Sequence, residues 1–280
     1  MRHMPMRLVA PRFLPGAALV AAILLVATPV SSQQDLRTLV RQSGFIFAGQ
    51  IEKIGAATTG LSASAQTAVV RVVRVIDEQP PIDEVKGRDV TVRLRDPKTA
   101  RVGLEAVFFT YLYGGGMSLG LQEVAEMPDD GKVDEVVHAA RAGLADDALR
   151  SRLDTASIVA TARVLRTERV EGPPPRGEHE PMWWNATLEV ASPLKGDVKA
   201  GATITVRFPS NYDAYWGNAP KPTPGETAIF LMQPARMVPA MPMEKGEREG
   251  REDLTGLFLL DRLDQLKASE IERVRRLLAK

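Results

Sequence analysis

Residues 87–94, GRDVTVRL, are written a second time at 201–208 as GATITVRF. In both copies apolar and polar residues alternate: Val90, Val92 and Leu94 against Thr91 and Arg93, then Ile204, Val206 and Phe208 against Thr205 and Arg207. A period of two puts successive side chains on opposite faces, so each copy reads as a strand with one face in a core. A strand that recurs within one chain marks a duplicated unit, and a duplication limits the possible folds more than any single motif does.

The flanks of the two copies repeat as well. Residues 44–51 (GFIFAGQI) align with 157–164 (SIVATARV) at an offset of 113, each preceded by a short helical start, at 35–39 and at 148–153. Alternate residues again suit an inner face: Phe45, Phe47, Gly49 and Ile51 in one copy, Ile158, Ala160, Ala162 and Val164 in the other. Second strands are predicted at 68–75 and 186–193, third at 87–94 and 201–208, fourth at 102–109 and 224–231, and fifth at 119–124 and 254–260. Between the first two strands of the second copy, 171–181 (EGPPPRGEHEP) cannot continue a strand. Each copy closes with apolar residues at helical spacing, Val133, Val136, Val137, Ala140 and Leu144, then Ile271, Val274, Leu277 and Leu278. Ser269 and Glu272 have the spacing of a capping box for the last helix.

The expectation is therefore a mainly β protein with C-terminal helices, in two tandem small five-stranded OB-like β-barrels. The boundaries run 1–32 for a leader, 33–150 for the first module with its closing helix and 151–280 for the second. Immunoglobulin-like sandwiches are the alternative, but they want about seven strands per unit.

Arg2, Arg7 and Arg12, an apolar run over 16–27 and the small residues of Val30-Ser31-Ser32 read as a secretory signal peptide. The run is shorter than the ~20 residues a spanning helix needs, which leaves an uncleaved anchor as the lesser alternative. The expected address is periplasmic or secreted. Lys plus Arg number 36 against 35 Asp plus Glu. The leader holds three Arg and no acid, which leaves 33 against 35 and a net charge of about −2. No basic footprint for nucleic acid exists, and with no cysteine in the chain disulfides, thiolate metal sites and Cys nucleophiles are excluded.

FAGQI, the VVRVVRV strand with a later Lys-Gly turn, DVTVRL and VGLEAVFF resemble the order of elements in netrin-module domains, the OB-like barrels of the tissue inhibitors of metalloproteinases. The resemblance spans nearly the whole chain after the leader, one module per unit, and implies the fold and a role as inhibitor or modulator of extracellular hydrolases. Those inhibitors chelate the protease metal through an N-terminal cysteine. This chain has none, so that mechanism does not carry over.

Catalytic signatures are missing. There is no nucleophile elbow, and Gly114-Gly115-Gly116 lacks the Lys-Ser/Thr of a phosphate loop. No enzyme activity and no cofactor are expected. After the leader only His138 and His179 remain. His138 falls on a predicted helix, where packing explains it, and His179 sits in Glu178-His179-Glu180, ligand types without a second His at i+4. Met237, Met241 and Met243 are soft thioethers at short spacing, the ligands an exported copper(I) binder would use; the bland reading is a proline-rich loop packed on the barrel.

The aromatics are the strongest functional clue. All three tryptophans and two of four tyrosines fall in the second unit, at Trp183, Trp184, Tyr212, Tyr215 and Trp216. Strand parity turns Trp184 inward and Trp183 outward, and the other three lie in a loop, 209–218, that is longer than its counterpart 95–100. Either these rings plug a barrel end, or Trp183, Tyr212, Tyr215 and Trp216 form a surface for a protein or carbohydrate partner. The sequence-level expectation is an exported non-enzymatic binding or scaffold protein of the cell envelope or exterior.

Overall fold

The computed structural model describes residues 30–78, 85–114, 119–172, 180–211, 216–238 and 255–279, with the side chains of 30–34 and Gly114 left aside. Helix α1 (Val30–Gln42) leads into β1 (Phe45–Ile54), β2 (Thr67–Glu78), β3 (Asp89–Arg93), β4 (Glu105–Gly114) and β5 (Gly120–Met127). These five strands close a barrel in the order β1-β2-β3-β5-β4, with β3 and β5 parallel and all other pairs antiparallel. That is the Greek-key connectivity of an OB barrel.

Alternation fills the barrel as expected, with Phe45, Phe47, Ile51, Val70, Val92 and Phe108 in one core. Their rings stack at centroid distances of 5.1 Å (Phe45 on Phe47) and 5.3 Å (Phe47 on Phe108). β4 reads as almost wholly apolar because both of its faces are buried. Phe108 points into the barrel, while Val107 and Phe109 face outward into a second cluster with Val133, Val137 and Ala140 of the next helix.

The second unit repeats the plan: β6 (Ile158–Arg169), β7 (Trp183–Lys195), β8 (Thr203–Pro209), β9 (Thr227–Pro234) and β10 (Leu257–Phe258). β10 is only two residues long, yet it pairs with β8 in parallel and β9 antiparallel, and so closes the second ring. The fifth strand, predicted over 254–260, forms as Leu257–Phe258 only. Past it a 3-10 turn at Arg262–Asp264 interrupts the extended chain, after which β11 (Gln265–Lys267), outside the predicted range, pairs with β9. The interruption is stable because Asp261 accepts from the Leu263 N–H while Asp264 accepts from the Asp261 N–H, a reciprocal capping box.

The capping box expected at Ser269 and Glu272 is not formed. Ser269 lies inside another 3-10 turn, Ala268–Glu270, and α3 (Ile271–Leu278) starts from Glu270 without a side-chain cap.

The two barrels share one helix. α2 (Val133–Thr155) is continuous through the expected joint at residue 150, so the closing helix of one unit is also the opening helix of the next. At 100° per residue, Val133, Val137 and Ala140 lie on one face, and Leu149 and Leu153 on the opposite one. The first three pack on the first barrel and the last two on β6, β9 and α3 of the second. Arginines fasten each half. Arg141 pairs with Asp77 of β2 and donates to the Ser43 carbonyl at 2.9 Å. Arg152 grips Asp264, fully buried, through Nε at 3.0 Å and Nη2, and Gln233 donates to the same carboxylate at 3.0 Å.

Candidate functional site

In β7 the period of two sends Trp184, Ala186, Leu188 and Val190 inward, and Trp183 therefore stands on the outer face. Trp183 is in register with Pro209, at the end of β8, and Arg207 of β8 with Phe258 of β10. Parity puts Phe258 outside the barrel too, between Leu257 and Leu259, which pack inward. An outward phenylalanine would ordinarily be wet. Here it is 0% exposed, because a second layer covers it.

That layer is aromatic. Trp183 meets Phe258 edge-on at 5.5 Å and 73°, Trp216 lies against Trp183 at 5.9 Å and 59°, and the Arg207 guanidinium sits 5.9 Å from the Phe258 centroid. Edge-to-face pairs at such distances each add about 0.5–1.5 kcal/mol beyond burial, and the Arg207 contact is a cation–π pair. The loops behind it are tied together. The Ser210 N–H donates to the Met182 carbonyl at 2.8 Å, the Met182 N–H to Asn211 Oδ1 at 3.3 Å, and Asn211 Nδ2 to the Glu180 carbonyl at 3.2 Å. Lys221 Nζ donates to the carbonyls of Trp216 and Ala219, both at 3.0 Å.

Of the four aromatics expected at a partner surface, Trp183 is half-buried and Trp216 is 1% exposed. Trp216 therefore supports Trp183 from beneath and presents no ring of its own. Tyr212 and Tyr215 lie outside the described residues, as do His179, Met241 and Met243. Met237 ends the 3-10 turn Ala235–Met237, half-buried. His138 Nε2 lies 2.8 Å from the Ile76 carbonyl, a contact that packs α2 on β2. Among the described residues no group of three or more His, Asp or Glu is placed to hold a metal ion.

The first barrel covers the same seam by other means. Thr91 of β3 points outward yet is fully buried, because Thr58, in the loop after β1, folds over it. The Thr58 N–H donates to Thr91 Oγ1 at 2.8 Å, and the two hydroxyls lie 2.8 Å apart. Gln122 holds the register position of Phe258, opposite Arg93. Tyr111 and Tyr113 at the end of β4 remain 46% and 44% exposed.

Two buried carboxyls complete the electrostatics. Burial pushes Glu123 of β5 up from the ordinary carboxyl range, against the Arg95 N–H that donates to its Oε2 at 2.9 Å. Burial also pushes Asp264 up, opposed by Arg152 and by the N–H groups of Leu260 and Asp261. The parts of this surface that the sequence reading missed are Arg207 and Phe258, which reach Trp183 only through closure of the second ring. Compared with known protein families and with curated proteins, the chain matches none.

Proposed function

We propose that this chain is an exported, non-enzymatic binding or scaffold protein of the cell envelope or exterior, and that it engages a protein or carbohydrate partner with the outer face of its second barrel. The observation that carries the reading is Trp183, a partly exposed indole packed against both Phe258 and a buried Trp216. A ring held in place before contact loses little conformational freedom on binding, which is why rigid aromatics dominate binding hot spots. Met182, 36% exposed, adjoins it on a loop pinned by Asn211. Among the described residues the first barrel has Gln122 in the register position of Phe258, so this reading places the specificity in the second unit. The leader 1–32 supports export.

The test is retention of envelope and secreted components on the chain from residue 33, compared with Trp183→Ala, each checked for native near-ultraviolet circular dichroism. Truncating a hot-spot tryptophan costs about 2 kcal/mol or more, roughly 30-fold in affinity. A partner held by the wild type and lost by the folded variant supports the reading; equal retention, or none by either, removes it. The netrin-module resemblance favours a hydrolase as that partner, and inhibition of the captured hydrolase would distinguish a modulator from a scaffold.

A further inference from the structure

Helices α1 and α2 cover only part of the outer face of the first barrel. Their apolar residues pack as far as Phe109 on β4 and Val124 on β5. Past those two positions parity decides which side chains face out. Val92, Leu94 and Leu121 point into the barrel, so Arg93 and Gln122 stand outside, and Tyr111 shares the outer face of β4 with Phe109. The three are in register, Tyr111 opposite Gln122 and Gln122 opposite Arg93. Two strand spacings make the row about 10 Å long. Tyr111 and Arg93 are exposed, and Gln122 between them is half-buried.

The row is held from beneath. Gln122 Nε2 donates to the carbonyls of Arg93 at 3.1 Å and Glu123 at 3.3 Å, which leaves Gln122 Oε1 to accept. Arg93 Nη2 donates to Gln66 Oε1 at 3.3 Å, and among the described residues its guanidinium forms no ion pair. Beside the row, the Tyr113 ring lies over Gly120. A Cβ built on that glycine would stand 3.2 Å from the ring's Cζ and 3.4 Å from Leu61 Cδ1. The bare backbone at 120 thus gives the ring a seat on β5, and its other side stays open to water.

Open ring faces, a free acceptor and an uncompensated guanidinium meet here in one row. The negative face of a ring attracts the C–H side of a sugar, the amide oxygen takes a hydroxyl, and the guanidinium fork fits a carboxylate through two parallel N–H donors. Other occupants fit less well. The core of a protein interface is depleted of charge, and an added peptide strand needs a free edge, whereas this barrel is closed. Nucleic acid calls for a basic footprint, and the chain after its leader carries about −2.

We propose that this face binds an acidic oligosaccharide, with sugar rings stacked on Tyr111 and Tyr113, a hydroxyl donating to Gln122 Oε1 and a uronate carboxylate paired with Arg93. The site belongs to the first barrel and stands whether or not the Trp183 shelf takes a partner.

The probes are three trisaccharides, of galacturonate, glucuronate and mannuronate, each titrated at low salt into the chain from residue 33 and followed by amide chemical shifts. Saturable shifts at 91–93, 111–113 and 120–122 are expected from at least one of them. Tyr111→Ala, at an exposed position and with its native spectrum retained, should bind that sugar at least about tenfold more weakly. The wild type should favour the acid over its neutral methyl ester, and Arg93→Gln should bind the two alike. Trp183→Ala should bind as the wild type does. The absence of saturable shifts from all three sugars, equal affinity in Tyr111→Ala, or equal affinity of the wild type for acid and ester would each overturn the proposal. So would tighter binding of hexathymidylate at the same amides, or an unglycosylated envelope protein held by the wild type and released by Tyr111→Ala.

Discussion

Glu123 shows how burial of a single carboxyl becomes a pH dependence. Its folded-state pKa is raised mainly by desolvation. The ionised form is thus penalised in the folded chain, and the contribution of this residue to stability is greatest below the unfolded pKa and lost as pH rises through the folded one. Glu123→Gln keeps an acceptor for the Arg95 N–H and removes the titration. It should be more stable than the wild type at neutral pH, with the difference shrinking in acid, as read by urea midpoints across that range. Two glycines give a second test. Gly196 has φ +89° and a Cβ built there would lie 2.4 Å from the Ser157 carbonyl oxygen, whereas Gly87 has φ +77° and open space around it. Both alanine variants pay for the left-handed backbone, more than about 1 kcal/mol, but only Gly196→Ala also collides with backbone, so its melting temperature should fall further. At this scale strand parity made the directions of Trp183 and Trp184 legible. The burial of Trp216 was not, because it depends on contacts distant in sequence, among them Trp183, thirty-three positions earlier, lying against it.

Among the elements, α2 was legible as two pieces and is one. Its apolar residues shift from the face of Val133, Val137 and Ala140 to the face of Leu149 and Leu153, about 180° away at 100° per residue. A stripe that changes sides looks like two amphipathic helices, although nothing in Leu144-Ala145-Asp146-Asp147-Ala148 stops a helix. The turn and strand β11 beyond the predicted fifth strand were hidden for a related reason: the Asp261–Asp264 capping box needs no hydrophobic signal. The Arg152–Asp264 pair gives the element-scale prediction. Arg152→Met leaves a fully buried carboxylate without its cation and should cost about 3–5 kcal/mol in urea unfolding. Arg37→Met, which removes an exposed pair with Asp147, should cost about 0–1 kcal/mol.

For the whole molecule, the duplication read from one repeated strand gave two OB-like barrels, and it could do so because strand period and order are local properties. What joins them is not local. Since α2 supplies core residues to both barrels, the two should unfold in one calorimetric transition. Ala145→Pro, at an exposed position in the middle of α2, costs the helix about 3 kcal/mol and should resolve that transition into two. The opposed faces of α2 also make the chain a crank, one shaft with two barrels thrown to opposite sides. Val137 and Leu149 are separated by about 18 Å along the axis. Removing one residue between them would turn one barrel by about 100° against the other while shortening the shaft by only about 1.5 Å. Loops between the strands can change length freely; residues 141–149 cannot, and any partner that touches both barrels meets them at one angle.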